Sequence, residues 1–206
     1  MTTTSYALLG LLSIKSWTTY ELAAQMGKGL GKFWPRARSI LFSEPKKLIA
    51  LGLAEGRHGT VGRRQRMVYS ITAQGQTELT RWLALPGAGP ILEWEQLVKV
   101  FFAASGSKQD LLATLGAIRE WSDERMRYQA ETARAYLEGR GAFPERAAIL
   151  ELTGGFLAEF EALVGDWAER SMGTVDRWPE DIATAPGDPA TVARVIEIVE
   201  RRSLRA

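Results

Sequence analysis

The sequence predicts a mainly α-helical protein in two parts: front helices closed by a small β-hairpin, then a rear half of helices only. Three observations predict it. The charge divides: residues 1–85 carry 12 Lys+Arg against 4 Asp+Glu, net +8, while residues 86–206 carry 14 against 20, net −6. Apolar residues recur at helical spacing through most of the chain and alternate in and out only from Arg66 to Thr72. The turn-rich stretch Pro86-Gly87-Ala88-Gly89-Pro90 separates the halves. We place the domains at 1–85 and 91–206.

Residues 4–14 carry Tyr6, Ala7, Leu8, Leu9, Leu11, Leu12 and Ile14, apolar nearly all round, so a buried helix is expected. Lys15-Ser16 make a turn. Thr18-Thr19-Tyr20-Glu21 has the pattern of a capping box, with hydroxyl and carboxylate each satisfying the other residue's amide. It opens a second helix through Leu22, Ala23 and Met26, ending near Gly27 or Gly29.

The stretch from Phe33 to Leu53 organises the front half. Pro35 suits the first turn of a helix, and Gly52 suits its end. Ile40, Leu41, Leu48, Ile49 and Leu51 can form one buried stripe. Arg36, Arg38 and Ser39 then fall in the first turn, with Lys46 and Lys47 about two turns on. A DNA-reading helix needs such a basic, hydroxyl-bearing front, because its N-terminal residues reach base edges while its cations meet phosphates. An ordinary amphipathic helix with solvated arginines is the plain alternative. Pro45 removes a helix hydrogen bond and disfavours helix at Glu44, so a kink is expected there.

After Gly52, Leu53 to Arg57 reads as a strand, Gly59 to Gly62 as a loop tip, and Arg66 to Thr72 as the returning strand with Met67, Tyr69 and Ile71 on one face. Arg63, Arg64 and Arg66 make the tip basic. Three helices followed by a basic hairpin make a winged helix-turn-helix. Thr72 caps a fourth helix through Gly75, Leu79, Trp82 and Leu83.

The rear half predicts a helix over Ile91–Ala104 with Leu92, Leu97, Val100, Phe101 and Phe102 apolar. A long helix follows from Ser107 or Lys108 to about Leu137, then another from Glu145 to Met172. In the latter Ile149, Phe156 and Leu163 recur at seven, and Leu152, Phe160 and Trp167 widen the face. That stripe is broader than one partner helix needs, which points to dimerisation. Residues 173–188 read as a loop, and Pro189 to about Arg202 as a terminal helix with Val192, Val195, Ile196 and Val199.

YALLGLL, W-x-x-YEL, SILF-x-x-x-KKLIALGL and VYSITAQG resemble, in order and spacing, the PadR family of bacterial transcription regulators over roughly residues 5–83. The rear half is similar to the C-terminal helical domain of longer-tailed members. The resemblance implies a cytoplasmic repressor that binds double-stranded DNA at an inverted repeat as a homodimer and is released by a small aromatic effector. The DNA-binding set is then Tyr20, Arg36, Arg38, Ser39, Phe42, Lys46, Lys47, Arg63, Arg64 and Arg66. Leu8 and Leu12 join Ile149, Phe156, Phe160, Leu163 and Trp167 as the dimerisation set. Two motifs depart from the family: Phe42-Ser43 stands where Tyr-Pro is frequent, and no His-Gly precedes the Tyr-Glu-Leu.

Other function classes lose ground. There is no cysteine, and the one histidine, His58, lies in the predicted wing without partners for a metal site or triad. Gly27-Lys28-Gly29-Leu30-Gly31 lacks the strand that must precede a phosphate loop. No enzyme activity, cofactor or metal is expected. The N-terminal apolar run is too short to cross a bilayer, so no membrane partner is expected either. Trp94, Trp121 and Trp167 read first as packing anchors. Drug-sensing relatives hold flat apolar ligands against tryptophan, but no residue here is assigned to an effector. A winged-helix protein-interaction module is the other reading, and the clustered arginines speak against it.

Overall fold

A computed structural model describes residues 1–61 and 64–203, apart from the side chains of Arg38, Thr60, Val61, Arg64, Gln65 and Arg202. The chain divides into two units, Met1–Pro90 and Ile91–Ala206. The fold class is as expected, mainly helical with one small sheet.

The first unit contains α1 (Thr3–Ile14), β1 (Trp17–Thr18), α2 (Thr19–Lys28), α3 (Arg38–Ala50), β2 (Ala54–Val61), β3 (Arg64–Ile71) and α4 (Ala73–Leu83). Its core is Leu8, Leu9, Leu22, Met26 and Leu48, all fully buried, joined by Trp17, Leu41, Leu53, Tyr69 and Leu79. The capping box opens α2 as expected: the Thr18 hydroxyl accepts from the Glu21 amide, and the Glu21 carboxylate accepts from the Thr18 amide at 2.8 Å. The sheet has the order β1-β3-β2, antiparallel throughout. β2 and β3 pair without a break from Ala54 opposite Ile71 to Val61 opposite Arg64. Gly59 is therefore part of a strand, not the loop tip. β1 escaped the sequence reading because two residues are too few to show alternation.

Two features of α3 differ from expectation, and a third concerns Pro45. The helix starts at Arg38, so Pro35 and Arg36 precede it. Ala37 is extended (φ −60°, ψ 142°), and the fixed φ of proline suits extended chain as well as a first turn. Secondly, the buried positions are Leu41, Glu44, Pro45 and Leu48, while Ile40, Ile49 and Leu51 are exposed. Spacing of three, one and three makes a true helical face, but it includes a carboxylate that an apolar count passes over. Thirdly, the helix runs unbroken through Pro45, whose ring is buried. Beyond Leu51, Gly52 is left-handed at φ +70°. Its amide donates to the Ile49 carbonyl and that of Leu53 to the Leu48 carbonyl, both at 2.9 Å, the paired closure of a Schellman motif.

Thr72 caps α4 through the Gly75 amide at 3.0 Å, as the sequence predicts. A Cβ on Gly75 would lie 2.0 Å from the Leu53 carbonyl oxygen, so only glycine fits where α4 meets the start of the hairpin.

The second unit contains α5 (Glu95–Phe101), α6 (Lys108–Leu137), α7 (Ala147–Val175) and α8 (Pro189–Ser203). α5 is shorter than expected: Trp94 is extended, its indole donating to the Gln96 side chain at 2.9 Å, and helix begins only after it. α6 and α7 are antiparallel, since the Lys108 ammonium at the start of α6 donates to the Asp176 and Trp178 carbonyls just past α7. Leu111, Leu115 and Ile118 of α6 pack on Val164, Ala168 and Val175 of α7. Midway, Glu161 is 1% exposed and fully engaged: Arg125 donates to one oxygen at 2.7 Å and Gln129 to the other at 3.0 Å. Ser122 donates to the Glu161 carbonyl at 2.6 Å. On α8 the apolar residues Val192, Val195, Ile196 and Val199 are all exposed. Among the described residues no helix is long and apolar enough to cross a membrane.

Candidate nucleic-acid interface

The outer side of α3 follows from its inner side. With Leu41, Glu44, Pro45 and Leu48 inward, Ser39, Phe42, Ser43 and Lys46 face solvent together. Lys47 is half-exposed, its ammonium 3.4 Å from the Glu44 carboxylate. Among the described residues no side chain caps the N-terminus of α3, and its first turn holds no acid. The Ile40 amide donates to the Ala37 carbonyl at 3.1 Å, and the positive end of the helix dipole is answered by no side-chain cap or acid among the described residues, whereas α2 has its own cap.

Arg36 sits outside the helix. Its guanidinium lies 3.9 Å from the Trp34 ring centroid and donates to the Pro35 carbonyl at 2.6 Å. The Trp34 indole in turn donates to the Thr4 hydroxyl at 3.2 Å, which ties this loop to α1. Tyr20, in the first turn of α2, is well exposed. Arg66 is half-buried on β3 opposite Gly59. Arg63 lies outside the described residues. Arg38 and Arg64 hold the first positions of α3 and β3, and their side chains also lie outside the described set. The hairpin carries one further exposed cation that the sequence reading passed over, Arg57, paired with Glu55 at 3.1 Å.

The dimerisation set separates into three. Leu8 and Leu12 are 0% and 2% exposed in the core of their own unit, which corrects the expectation that they offer a partner surface. Both face inward because α1 is the central helix of that core. Phe160 and Trp167 pack partly against the α6–α7 core, with Trp167 edge-on to Trp94 at 5.9 Å. Ile149, Phe156 and Leu163 are exposed, at 56%, 62% and 61%.

Four helices and a three-stranded wing of this order define a winged helix-turn-helix protein with a helical C-terminal unit. Comparison with known proteins narrows the class. Over 107 residues, 51% of this chain, it is 30% identical to the negative transcriptional regulator PadR of Bacillus subtilis, and it spans 59% of that relative's length. Among solved structures, Bacillus subtilis PadR in complex with operator DNA superposes with a TM-score of 0.73 at 23% identity, covering 84% of this chain and 99% of the other. The same protein in complex with p-coumaric acid gives 0.66 at 22%, covering 84% and 95%. No family model matches the chain. The resemblance read from the sequence is matched: over about half its length the chain is similar to Bacillus subtilis PadR, and it has the fold of the PadR structures.

Proposed function

We propose that the protein is a cytoplasmic, homodimeric DNA-binding repressor of the PadR type that reads an inverted repeat with α3 and grips the flanking backbone with the β2–β3 wing. The observation that carries the reading is the outer face of α3: Ser39, Phe42, Ser43 and Lys46 on one side, beside an uncapped, acid-free N-terminus. Hydroxyls and an aromatic edge can contact bases, and lysines and the positive end of a helix suit phosphates. The role of repressor follows that of the Bacillus subtilis relative, a negative transcriptional regulator. A small aromatic effector is supported by the aromatic acid held by that relative and by the Trp94–Trp167 pair in the second unit here.

The test is selection of bound duplexes from a random pool, followed by a salt titration of the winner. The expected outcome is a consensus with two inverted half-sites, and an affinity that falls with a log–log slope of about −0.9 per phosphate neutralised. A pool that returns no consensus, or binding indifferent to salt, rejects DNA reading and leaves a protein-interaction module.

A further inference from the structure

From the contacts of Glu44 we infer that Ser5 and Glu44 are positioning residues for DNA reading: their hydrogen bond pins α3 on α1 in the one rotation that presents Ser39, Phe42, Ser43 and Lys46 together. The inference rests on the DNA-reading role proposed for α3. Glu44 is 8% exposed in the middle of the inner face of α3, and Ser5 is 0% exposed on α1. The Ser5 hydroxyl donates to Glu44 Oε1 across the helix pair. Ser5 is itself fixed, because it forms a reciprocal capping box with Thr2 at the start of α1.

An apolar residue at position 44 would bury more cheaply, since a carboxylate loses its hydration and needs partners. Apolar packing on Leu41, Pro45 and Leu48 holds α3 against the core but fixes rotation only loosely. A directional hydrogen bond between a fixed donor and a buried acceptor fixes it closely. A helix turned by one residue about its axis swings by about 100°, which would replace Ser39 and Lys46 on the outer face by their neighbours. The same end of α1 holds the approach to α3, through Thr4 and Trp34 at 3.2 Å. Two adjacent buried polar residues of α1 thus bind the entry and the middle of the reading helix.

Full-length protein with Glu44→Leu, Glu44→Gln or Ser5→Ala tests this. The first readout is the affinity ratio between the selected duplex and a scrambled duplex of equal length. Glu44→Leu should lose about tenfold in that ratio, the scale of one hydrogen bond to a charged group. Its affinity for the scrambled duplex should not fall, because the cations that meet phosphates remain and Lys47 is freed from the Glu44 carboxylate. Glu44→Gln, which still accepts from Ser5, should keep the ratio. Ser5→Ala should lose it, and adding Ser5→Ala to Glu44→Leu should cost nothing more. The second readout is amide exchange, which should speed up in α3 of Glu44→Leu while α2 and α4 are unchanged. Wild-type selectivity in both Glu44→Leu and Ser5→Ala overturns the inference, as does equal acceleration of exchange across all helices. Should Glu44→Leu not fold, Ser5→Ala decides alone by both readouts. A wild-type protein that discriminates no duplex overturns the DNA-reading role instead, a result distinct from loss confined to the variants.

Discussion

Arg125 and Glu161 show what a single buried pair does for the second unit. The carboxylate is 1% exposed, and the guanidinium and Gln129 meet its two oxygens. Removing one partner leaves a buried charge unanswered, so Arg125→Ala should lower stability by about 3 kcal/mol, read from the urea midpoint. Replacing both, Glu161→Leu with Arg125→Met, should recover most of that loss. In the first unit Glu78 accepts from the Arg81 guanidinium and the Tyr6 hydroxyl, and these hydrogen bonds, that of Arg81 first, hold its pKa down at about 2 instead of the ordinary 4.5. A depressed carboxylate stabilises fully above its unfolded value and ceases to do so as pH falls through its folded one. Thermal melts should therefore show Glu78→Gln below wild type at neutral pH, with the gap closing between pH 4.5 and about 2. A gap that persists at the acid end excludes this origin. Glu78 is partly exposed, so the change is expected to be small.

At the scale of the element, α3 separates two kinds of arginine. Arg38 opens the helix, and Arg36 precedes it and lies on Trp34. Arg38→Ala should cost about 1–3 kcal/mol on the preferred duplex and relax the base choice at one position. Arg36→Ala should weaken every duplex alike, as a phosphate contact does. Parallel titrations on matched and mismatched duplexes check both, and a uniform loss for Arg38→Ala refutes its base-reading role. The sequence showed where helices start when a cap was written in it: Thr18 with Glu21 and Thr72 cap as read, and the start expected at Ser107 or Lys108 proves to be a Ser107 cap. It misplaced the start of α3 because Pro35 serves an extended loop as readily as a first turn. It misplaced the inner face because Glu44 is buried by a partner 39 residues away, which no local periodicity encodes. The wing was legible from alternation at Met67, Tyr69 and Ile71, whereas its full length was hidden by glycines that pair as strand.

For the whole molecule, the exposed apolar residues are what the proposed dimer would cover. Ile149, Phe156 and Leu163 lie outward on α7, while Leu157, Val164 and Ala168 take its inner side. α8 adds Val192, Val195, Ile196 and Val199. Monomers rarely leave so much apolar surface in water, and in the proposed dimer a two-fold pair would cover it with a copy of itself. Replacing Phe156 and Leu163 by glutamate should yield monomers by light scattering that lose the inverted repeat, with melting of the first unit unchanged. A wild type that scatters as a monomer at micromolar concentration removes the dimer. Half-site centres of the selected duplex should lie about 10–10.5 base pairs apart or at a multiple of that. The seven-residue recurrence picks out the outward residues Ile149, Phe156 and Leu163, while Phe160 and Trp167 of the same stripe pack partly on their own core. Leu8 and Leu12 were misassigned because a helix apolar all round gives no clue to which side meets its own core.

The stack of Arg36 on Trp34 also gives the chain a built-in optical reporter. An indole under a guanidinium senses that charge directly, and a phosphate competing for Arg36 would alter the stack. Trp34 emission, isolated as the difference between wild type and Trp34→Phe, should change when duplex is added and stay constant in Arg36→Ala. Docking could then be followed in real time without any attached dye.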